Sequence, residues 1–129
     1  MRKGQVDPLL DKMEKLAVAV GDYLRAQAAA GAQVLQLFDS WAGILGPAEY
    51  REFALPYAER VLQAIADLDV PRIYFALNNS HLLDEVGTCS ADVLGMDWRV
   101  PLAEANRRLG GRFALQGNLD PCTLMATPD

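Results

Sequence analysis

The stretch Gln36-Leu37-Phe38-Asp39-Ser40-Trp41-Ala42-Gly43 decides the fold of this chain. The apolar run from Val34 to Phe38 predicts a short buried strand, and polar residues follow where the strand gives way to a loop and then a helix. In α/β enzymes the chemistry sits at the carboxyl ends of parallel strands. The stretch therefore predicts an α/β protein with a functional site at the end of this strand.

The same layout recurs three times along the chain. Polar residues again follow short apolar runs at Asn78-Asn79-Ser80-His81, at Asp97-Trp98-Arg99 and at Gln116-Gly117-Asn118-Leu119-Asp120-Pro121. Packing alone does not explain polar residues at four successive strand ends. The four strand ends are therefore candidate functional positions.

The order of elements predicts a parallel sheet. A long helix comes first, and four strand-to-helix units follow, with helices of a length that suits right-handed crossovers. The predicted strands are Val34–Phe38, Arg72–Leu77, Val93–Met96 and Phe113–Leu115.

Proline, glycine and aspartate mark the predicted helix boundaries. Asp7 and Pro8 are typical of an N-cap and first turn, and Gly31 is typical of a helix stop. Pro56 must kink or split the second helical stretch, because proline removes a backbone donor. Asp120 is placed to cap a further helix.

Composition excludes several classes of protein. A chain of 129 residues with 51% hydrophobic residues has enough apolar side chains for a packed core. The formal net charge of −5, without a cluster of Lys and Arg, argues against nucleic-acid binding. No apolar run is long enough to span a membrane.

Cellular location is predicted from the cysteines and the first residues. Cys89 and Cys122 lack metal-type spacing and are typical of reduced thiols, although a disulfide between them stays open at this point. Arg2 and Lys3 precede polar residues rather than the apolar core of a signal peptide. We expect a cytoplasmic protein.

Four stretches, in this order and separation, resemble the uroporphyrinogen decarboxylase family. Each stretch alone is a modest match, but the series is highly specific. They are Gly31-Ala32-Gln33 leading into Gln36–Gly43, Phe53-Ala54-Leu55-Pro56-Tyr57, Gly95-Met96-Asp97-Trp98-Arg99-Val100-Pro101-Leu102, and Leu115-Gln116-Gly117-Asn118-Leu119-Asp120-Pro121.

The resemblance implies a (β/α)₈ TIM barrel that acts as a homodimer without metal or organic cofactor. Its activity is removal of carboxyl groups from the four acetate side chains of uroporphyrinogen, giving coproporphyrinogen on the route to heme. A whole barrel needs about 250 residues. We therefore expect residues 1–129 to form one partial barrel, an internal half of about four parallel βα units preceded by a helix.

The resemblance also implies that much of the catalytic centre lies outside this sequence. The family's N-terminal arginine-rich loop, the aspartate that faces the pyrrole NH groups, a cleft tyrosine and the C-terminal Gly-His-Gly segment have no counterpart here. We therefore expect the chain alone to be inactive, and we assign it no catalytic residue.

Two residues are predicted to bind substrate by resemblance. Ser40 matches the family's substrate-contacting serine, whose hydroxyl can donate to a carboxylate, although a turn serine can also bond nearby backbone. Phe38 matches a cleft-lining aromatic residue, with ordinary barrel core as the alternative. Phe38 and Ser40 share strand parity with Gln36, so all three are expected on one side.

The other polar residues of these loops are expected to be structural. Asp97 is predicted to be a buried acceptor that holds a loop, and Asn78 and Asn79 suit either the cleft or a turn. The residues predicted to order the loops or to be structural are Asp39, Trp41, His81, Asn118 and Asp120, and Gln116 is a weak candidate for the cleft.

Two other functions compete with the decarboxylase. Corrinoid-related zinc methyltransferases of the same superfamily carry a His-x-Cys pair at a strand end plus a distant Cys. The corresponding strand end here, Phe75-Ala76-Leu77-Asn78, includes no thiol. The other alternative is a non-catalytic half-barrel that self-associates through its unpaired sheet edges.

Overall fold

A computed structural model describes residues 3–126, with side-chain positions from residue 8 onward. Four strands form one sheet in the order β1-β2-β3-β4, and every neighbouring pair is parallel. The strands are β1 (Leu35–Asp39), β2 (Arg72–Ala76), β3 (Val93–Gly95) and β4 (Ala114–Gln116). The predicted parallel α/β fold is confirmed.

Helices separate the strands as the sequence predicts. They are α1 (Lys3–Ala29), α2 (Pro47–Phe53), α3 (Leu55–Ala64), α4 (Leu83–Val86) and α5 (Leu102–Arg108), with 3₁₀ turns at Ala42–Ile44 and Pro121–Met125. Pro56 lies in the first turn of α3 and separates it from α2, which confirms the predicted split.

Helix α1 differs from its predicted start. It begins at Lys3 and runs through Pro8, so the prediction of a start at Asp7 is wrong. The helix forgoes one backbone hydrogen bond at the proline, and a local capping signal does not prevent further turns before it. The side chain of Asp7 lies outside the described residues. At the other end Gly31, with φ +103°, confirms the predicted stop.

Two strands are shifted by one residue from their predicted bounds. β1 ends at Asp39 rather than Phe38 because Asp39 pairs with Ala76 of β2. β4 ends at Gln116 because Gln116 pairs with Gly95 of β3. The hydrogen-bonded register, rather than the apolar pattern, sets these bounds.

The helices cover one face of the sheet. The residues that the strands, and Met96 directly after β3, contribute to the two hydrophobic clusters share one parity. They are Leu35, Leu37, Tyr74, Ala76, Leu94, Met96 and Leu115. The opposite face, called the open face below, consists of Gln36, Phe38, Ile73, Phe75, Val93, Gly95, Ala114 and Gln116. Among the described residues, no member of the open face belongs to either cluster.

Helix α1 contributes mainly its second half to the core. Ala17 and Leu24 are buried against Leu35, Val61 and Ile65. Other apolar residues of α1 are exposed, including Leu9 and Leu16.

Candidate functional site

Hydrogen bonds join the loops that follow the four strands into one continuous band. The N–H of Gly43 donates to the carbonyl of Leu77 at 3.1 Å, which joins the first loop to the second. Residues 39–43, 77–81, 97–100 and 117–120, the segments at the carboxyl ends of the strands, are called the rim below. Because the strands are parallel, the rim lies along one edge of the sheet, where (β/α)₈ enzymes place their sites.

The side chain of Asp97 joins the second and third loops of the rim. Its side chain is buried, and one carboxylate oxygen accepts the N–H of Asn78 at 2.6 Å. The other oxygen accepts the N–H of Arg99 at 2.9 Å, and Arg99 Nη1 lies 3.1 Å from the first. The prediction of a buried acceptor that holds a loop is confirmed.

Asn118 and Asp120 order the fourth loop, as predicted. Asn118 Nδ2 donates to the carbonyls of Asp97 at 2.8 Å and Val100 at 2.6 Å. Asp120 caps the final 3₁₀ turn by accepting the N–H of Cys122 at 2.9 Å. The fourth loop is therefore fastened to the third.

Phe38 lies on the open face and is 64% exposed. Its ring meets the ring of Phe75 edge-on, with 5.9 Å between centroids and 66° between planes. Phe75 in turn fits over Gly95, where an added Cβ would lie 2.7 Å from the ring. Two aromatic rings are thus supported by a glycine on the open face.

Ser40 is the first residue after β1 and is exposed. Among residues 8–126, whose side chains are described, its hydroxyl makes no hydrogen bond, so the local bond to turn backbone does not form. Phe38 and Gln36 share the open face as their parity predicts, and Ser40 follows in the turn beyond the strand. The hydroxyl is available to an external acceptor.

Asp39 and Trp41 differ in how they support the first loop. Asp39 Oδ2 accepts a hydrogen bond from the hydroxyl of Tyr74 at 3.3 Å, in keeping with a structural role. The side chain of Trp41 is 75% exposed, and this residue supports the loop through its carbonyl, which accepts the N–H of Ile44 at 3.1 Å.

His81 and the two asparagines occupy distinct positions in the second loop. His81 Nε2 lies 2.8 Å from the carbonyl of Leu45, which ties the second loop to the first and fits the structural role predicted for it. Asn78 is exposed and adopts φ +57°, a turn conformation, whereas Asn79 is buried. Asn79 Nδ2 has no hydrogen-bond partner within the described part of the chain.

Sequence reasoning missed a buried pair of tyrosines beneath the rim. The hydroxyls of Tyr50 and Tyr74 lie 2.7 Å apart, and both residues are fully buried. Burial raises the pKa of each phenol well above its ordinary value, so both stay neutral. The one signal in the sequence was Tyr74, a tyrosine within the apolar run of the second strand.

A cavity of about 180 Å³ opens beside β1, between α1 and α3. Residues of both sheet faces line it, including Leu37 and Phe38, so it reaches around the edge of the strand. Asp39 provides a carboxylate on an otherwise largely apolar wall. The edge of β1 thus has unfilled apolar space beside it.

The part of the chain that the structure describes has neither a metal-binding cluster nor a membrane-spanning helix. Over residues 3–126, no group of three or more His, Cys, Asp or Glu side chains is arranged to hold a metal ion. No helix in that range is long and apolar enough to cross a bilayer. Both cysteines are free, with Cys89 buried and Cys122 exposed.

Comparison with known proteins identifies the family. The sequence profile described as Uroporphyrinogen decarboxylase (URO-D) matches residues 7–129. A uroporphyrinogen decarboxylase of Nocardia farcinica is 58% identical over 106 residues, which is 82% of this chain and 30% of the relative. Relatives of the same name from Streptomyces griseus and Desulfotalea psychrophila are 51% and 50% identical, over 93% and 91% of this chain and 33% and 34% of their own lengths.

The chain spans about a third of the length of these relatives, although the four strands found in residues 3–126 correspond to half of an eight-stranded barrel. The matched residues include all four strands and the whole rim. The chain belongs to the uroporphyrinogen decarboxylase family.

Proposed function

We propose that this chain is a segment of a uroporphyrinogen decarboxylase and forms part of the wall that binds the tetrapyrrole. The complete enzyme converts uroporphyrinogen to coproporphyrinogen by decarboxylating four acetate side chains without a cofactor. The observation that carries this proposal is the pairing of an exposed aromatic ring, Phe38, with a free hydroxyl, Ser40, at the carboxyl end of a parallel strand.

In this proposal, each residue contacts a different part of the substrate. The ring of Phe38 offers an apolar surface to the macrocycle, and Phe75 supports it from the side. The hydroxyl of Ser40 donates a hydrogen bond to an acidic side chain. Neither residue takes part in proton transfer.

The chemical step needs groups that this segment lacks. Loss of CO₂ from an acetate on a pyrrole proceeds once the ring carbon is protonated, because the resulting cation accepts the electrons of the breaking bond. A carboxylate beside the pyrrole nitrogens stabilises that cation by preorganised electrostatics. We assign this carboxylate to the rest of the enzyme and expect the chain alone to be inactive.

The sheet supports the view that residues 1–129 are one segment of a larger barrel. Within the described residues, β1 and β4 each have one neighbouring strand, and a closed barrel has no such edges. The cavity that wraps around the edge of β1 is where a preceding strand would pair.

The proposal includes the family's homodimer and a cytoplasmic location. Two free thiols suit a reducing compartment. A second function, a half-barrel that self-associates through its edges, is favoured by the single pairing of β1 and β4. Sedimentation of the purified chain measures its oligomeric state. A single monomeric species would speak against association through the sheet edges.

A chimeric enzyme tests the main proposal. This chain replaces the matching segment of the Streptomyces griseus relative, which aligns with 93% of it, and the products from uroporphyrinogen are separated by chromatography. We expect activity in the chimera and none in the chain alone. A folded but inactive chimera would contradict the proposal.

Substitutions in that chimera test the two site residues. Ser40→Ala is expected to lower kcat/KM about tenfold, the effect of one hydrogen bond to a charged group. Phe38→Ala is expected to raise KM because it removes the aromatic surface. Thr88→Ala is the control, since that hydroxyl donates to the carbonyl of Glu85 in the loop that leads into β3. Equal kinetics for Ser40→Ala and the control would remove Ser40 from the site.

A further inference from the structure

We propose that Arg99, a cation of the rim, binds the carboxylate of one acidic side chain of the tetrapyrrole substrate. This inference rests on the proposed function. Ser40 and Phe38 supply a neutral donor and an apolar surface, and neither balances the charge of a polyacidic ligand. A cation at the same edge of the sheet completes the chemistry that the ligand needs.

Arg99 is the sole Lys or Arg in the rim segments. The acidic residues of the rim have other partners, since Asp39 accepts from Tyr74, Asp97 from backbone N–H groups, and Asp120 caps a turn. A substrate carboxylate that reaches the rim therefore meets one guanidinium as its ionic partner.

The guanidinium of Arg99 is held in place before any ligand arrives. Its Nη1 lies 3.1 Å from Asp97 Oδ2, and its central carbon lies 4.2 Å from the centroid of the Trp98 ring. The backbone N–H of Arg99 also donates to Asp97. A fixed guanidinium loses less side-chain freedom when it binds an anion than a mobile one does.

Arg99 keeps donors free for a ligand. Its side chain is 39% exposed, whereas that of Asp97 is 3% exposed. Among residues 8–126, whose side chains are described, its Nε and Nη2 groups have no hydrogen-bond partner. The carboxylate of Asp97 also accepts hydrogen bonds from the backbone N–H groups of Asn78 and Arg99, so one N–H group of the guanidinium completes its set of donors. The free N–H groups can form a bidentate hydrogen-bonded contact with a carboxylate.

The exposed face of the Trp98 ring adds a place for an apolar contact. Trp98 is 38% exposed and lies beneath the guanidinium of its neighbour. An acidic side chain bound at Arg99 would bring the attached pyrrole close to this ring. The fluorescence of Trp98 therefore offers a reporter of binding at this position.

Equilibrium binding of uroporphyrin to the full chain tests the proposal. Uroporphyrin is the stable oxidised form of the substrate and carries an acetate and a propionate on every pyrrole. Binding is followed by quenching of tryptophan fluorescence. Arg99→Gln is expected to raise Kd about tenfold, the effect of losing a charge-assisted hydrogen bond. Arg99→Lys keeps the positive charge but lacks the planar guanidinium group. Its Kd for uroporphyrin is expected to lie between those of the wild type and Arg99→Gln.

Two controls separate direct contact from distortion of the rim. Arg107→Gln removes an arginine that pairs with Glu104 on α5, and a change in Kd below about twofold is expected because exposed pairs contribute little. Mesoporphyrin, which lacks the acetates and keeps two propionates, reports on shape more than on charge. Its Kd is expected to change far less than that of uroporphyrin in Arg99→Gln.

The outcomes distinguish this inference from the proposed function. If uroporphyrin fails to bind the wild-type chain, this inference is overturned, while the proposed function is judged by the activity of the chimera. If it binds, and Arg99→Gln binds equally well, Arg99 is not a ligand-binding residue while the proposed function stands. An equal loss for both porphyrins would assign Arg99 a structural role only. If Arg99→Gln unfolds, the double variant with Asp97→Asn, which removes the unpaired buried charge, gives the same comparison.

Discussion

The carboxylate of Asp97 accepts a hydrogen bond from the backbone N–H of Asn78 at 2.6 Å, which joins the ends of β2 and β3. The two residues are nineteen positions apart in the chain. Through Asn118, which donates to the carbonyl of Asp97, the same junction reaches the end of β4. Asp97 thus connects three of the four loops of the rim, two through its buried carboxylate and the third through its backbone carbonyl.

Replacing Asp97 is expected to destabilise the fold. Asp97→Ala leaves two backbone N–H groups without their acceptor and Arg99 without its partner, and a loss of about 2–4 kcal/mol in the free energy of unfolding is expected. Urea denaturation monitored by circular dichroism measures the loss. Glu104→Ala, which breaks an exposed ion pair with Arg107, should cost less than about 1 kcal/mol. Equal losses would show that Asp97 has no special role.

The absence of a side chain at Gly95 is expected to be required because the ring of Phe75 packs against this position. In Gly95→Ala the added Cβ would lie 2.7 Å from Phe75 Cδ2, so the ring must move, at a cost of about 1–3 kcal/mol. Phe75→Leu frees the space, so Gly95→Ala should cost less in that background. A double-mutant cycle measures this coupling. Strictly additive losses would contradict the contact.

The buried tyrosine pair predicts a loss of stability at alkaline pH. Because burial raises the pKa of Tyr50 and Tyr74 in the folded state, the unfolded chain releases these protons first. Their contribution is therefore complete below pH of about 10 and decreases above it, by about 1.4 kcal/mol per pH unit for each phenol.

Denaturation curves between neutral and strongly alkaline pH check this dependence. The double variant Tyr50→Phe with Tyr74→Phe should lose most of the alkaline decline. Tyr23→Phe is the control, because Tyr23 is 65% exposed, and it should keep the decline. An unchanged alkaline limb in the double variant would show that other groups cause it.

The two cysteines should react with thiol reagents at very different rates. Cys122 is exposed, whereas Cys89 is buried, and burial raises the pKa of the Cys89 thiol so that less thiolate forms. Labelling followed by mass spectrometry should show rapid modification of Cys122 and modification of Cys89 only as the chain opens. Cys122→Ser should therefore label slowly. Fast labelling of that variant would mean that Cys89 is accessible in the folded state.

Local sequence patterns were sufficient for the parallel α/β architecture. Short apolar runs separated by helical stretches predicted four strands in chain order, and Pro56 predicted the break between α2 and α3. Asp120 was recognised as a cap from its place before Pro121. These features follow from backbone chemistry within a few residues, which a single sequence displays directly.

The exact strand bounds and the hydrogen bonds within the rim could be read only from the folded structure. The ends of β1 and β4 depend on pairing with β2 and β3, so the apolar runs placed them one residue early. The hydroxyl pair of Tyr50 and Tyr74 joins positions twenty-four residues apart. No local pattern encodes such a contact.

The chain's own sequence determined which residues stand at the strand ends, because side-chain alternation and turn chemistry are local properties. Only the tertiary structure decided what those residues do there. Register exposed Phe38 on the open face, and packing buried Asp97 where it binds Asn78 and orients Arg99. The reason is physical: burial and hydrogen-bond partners are set by segments that meet only when the sheet assembles.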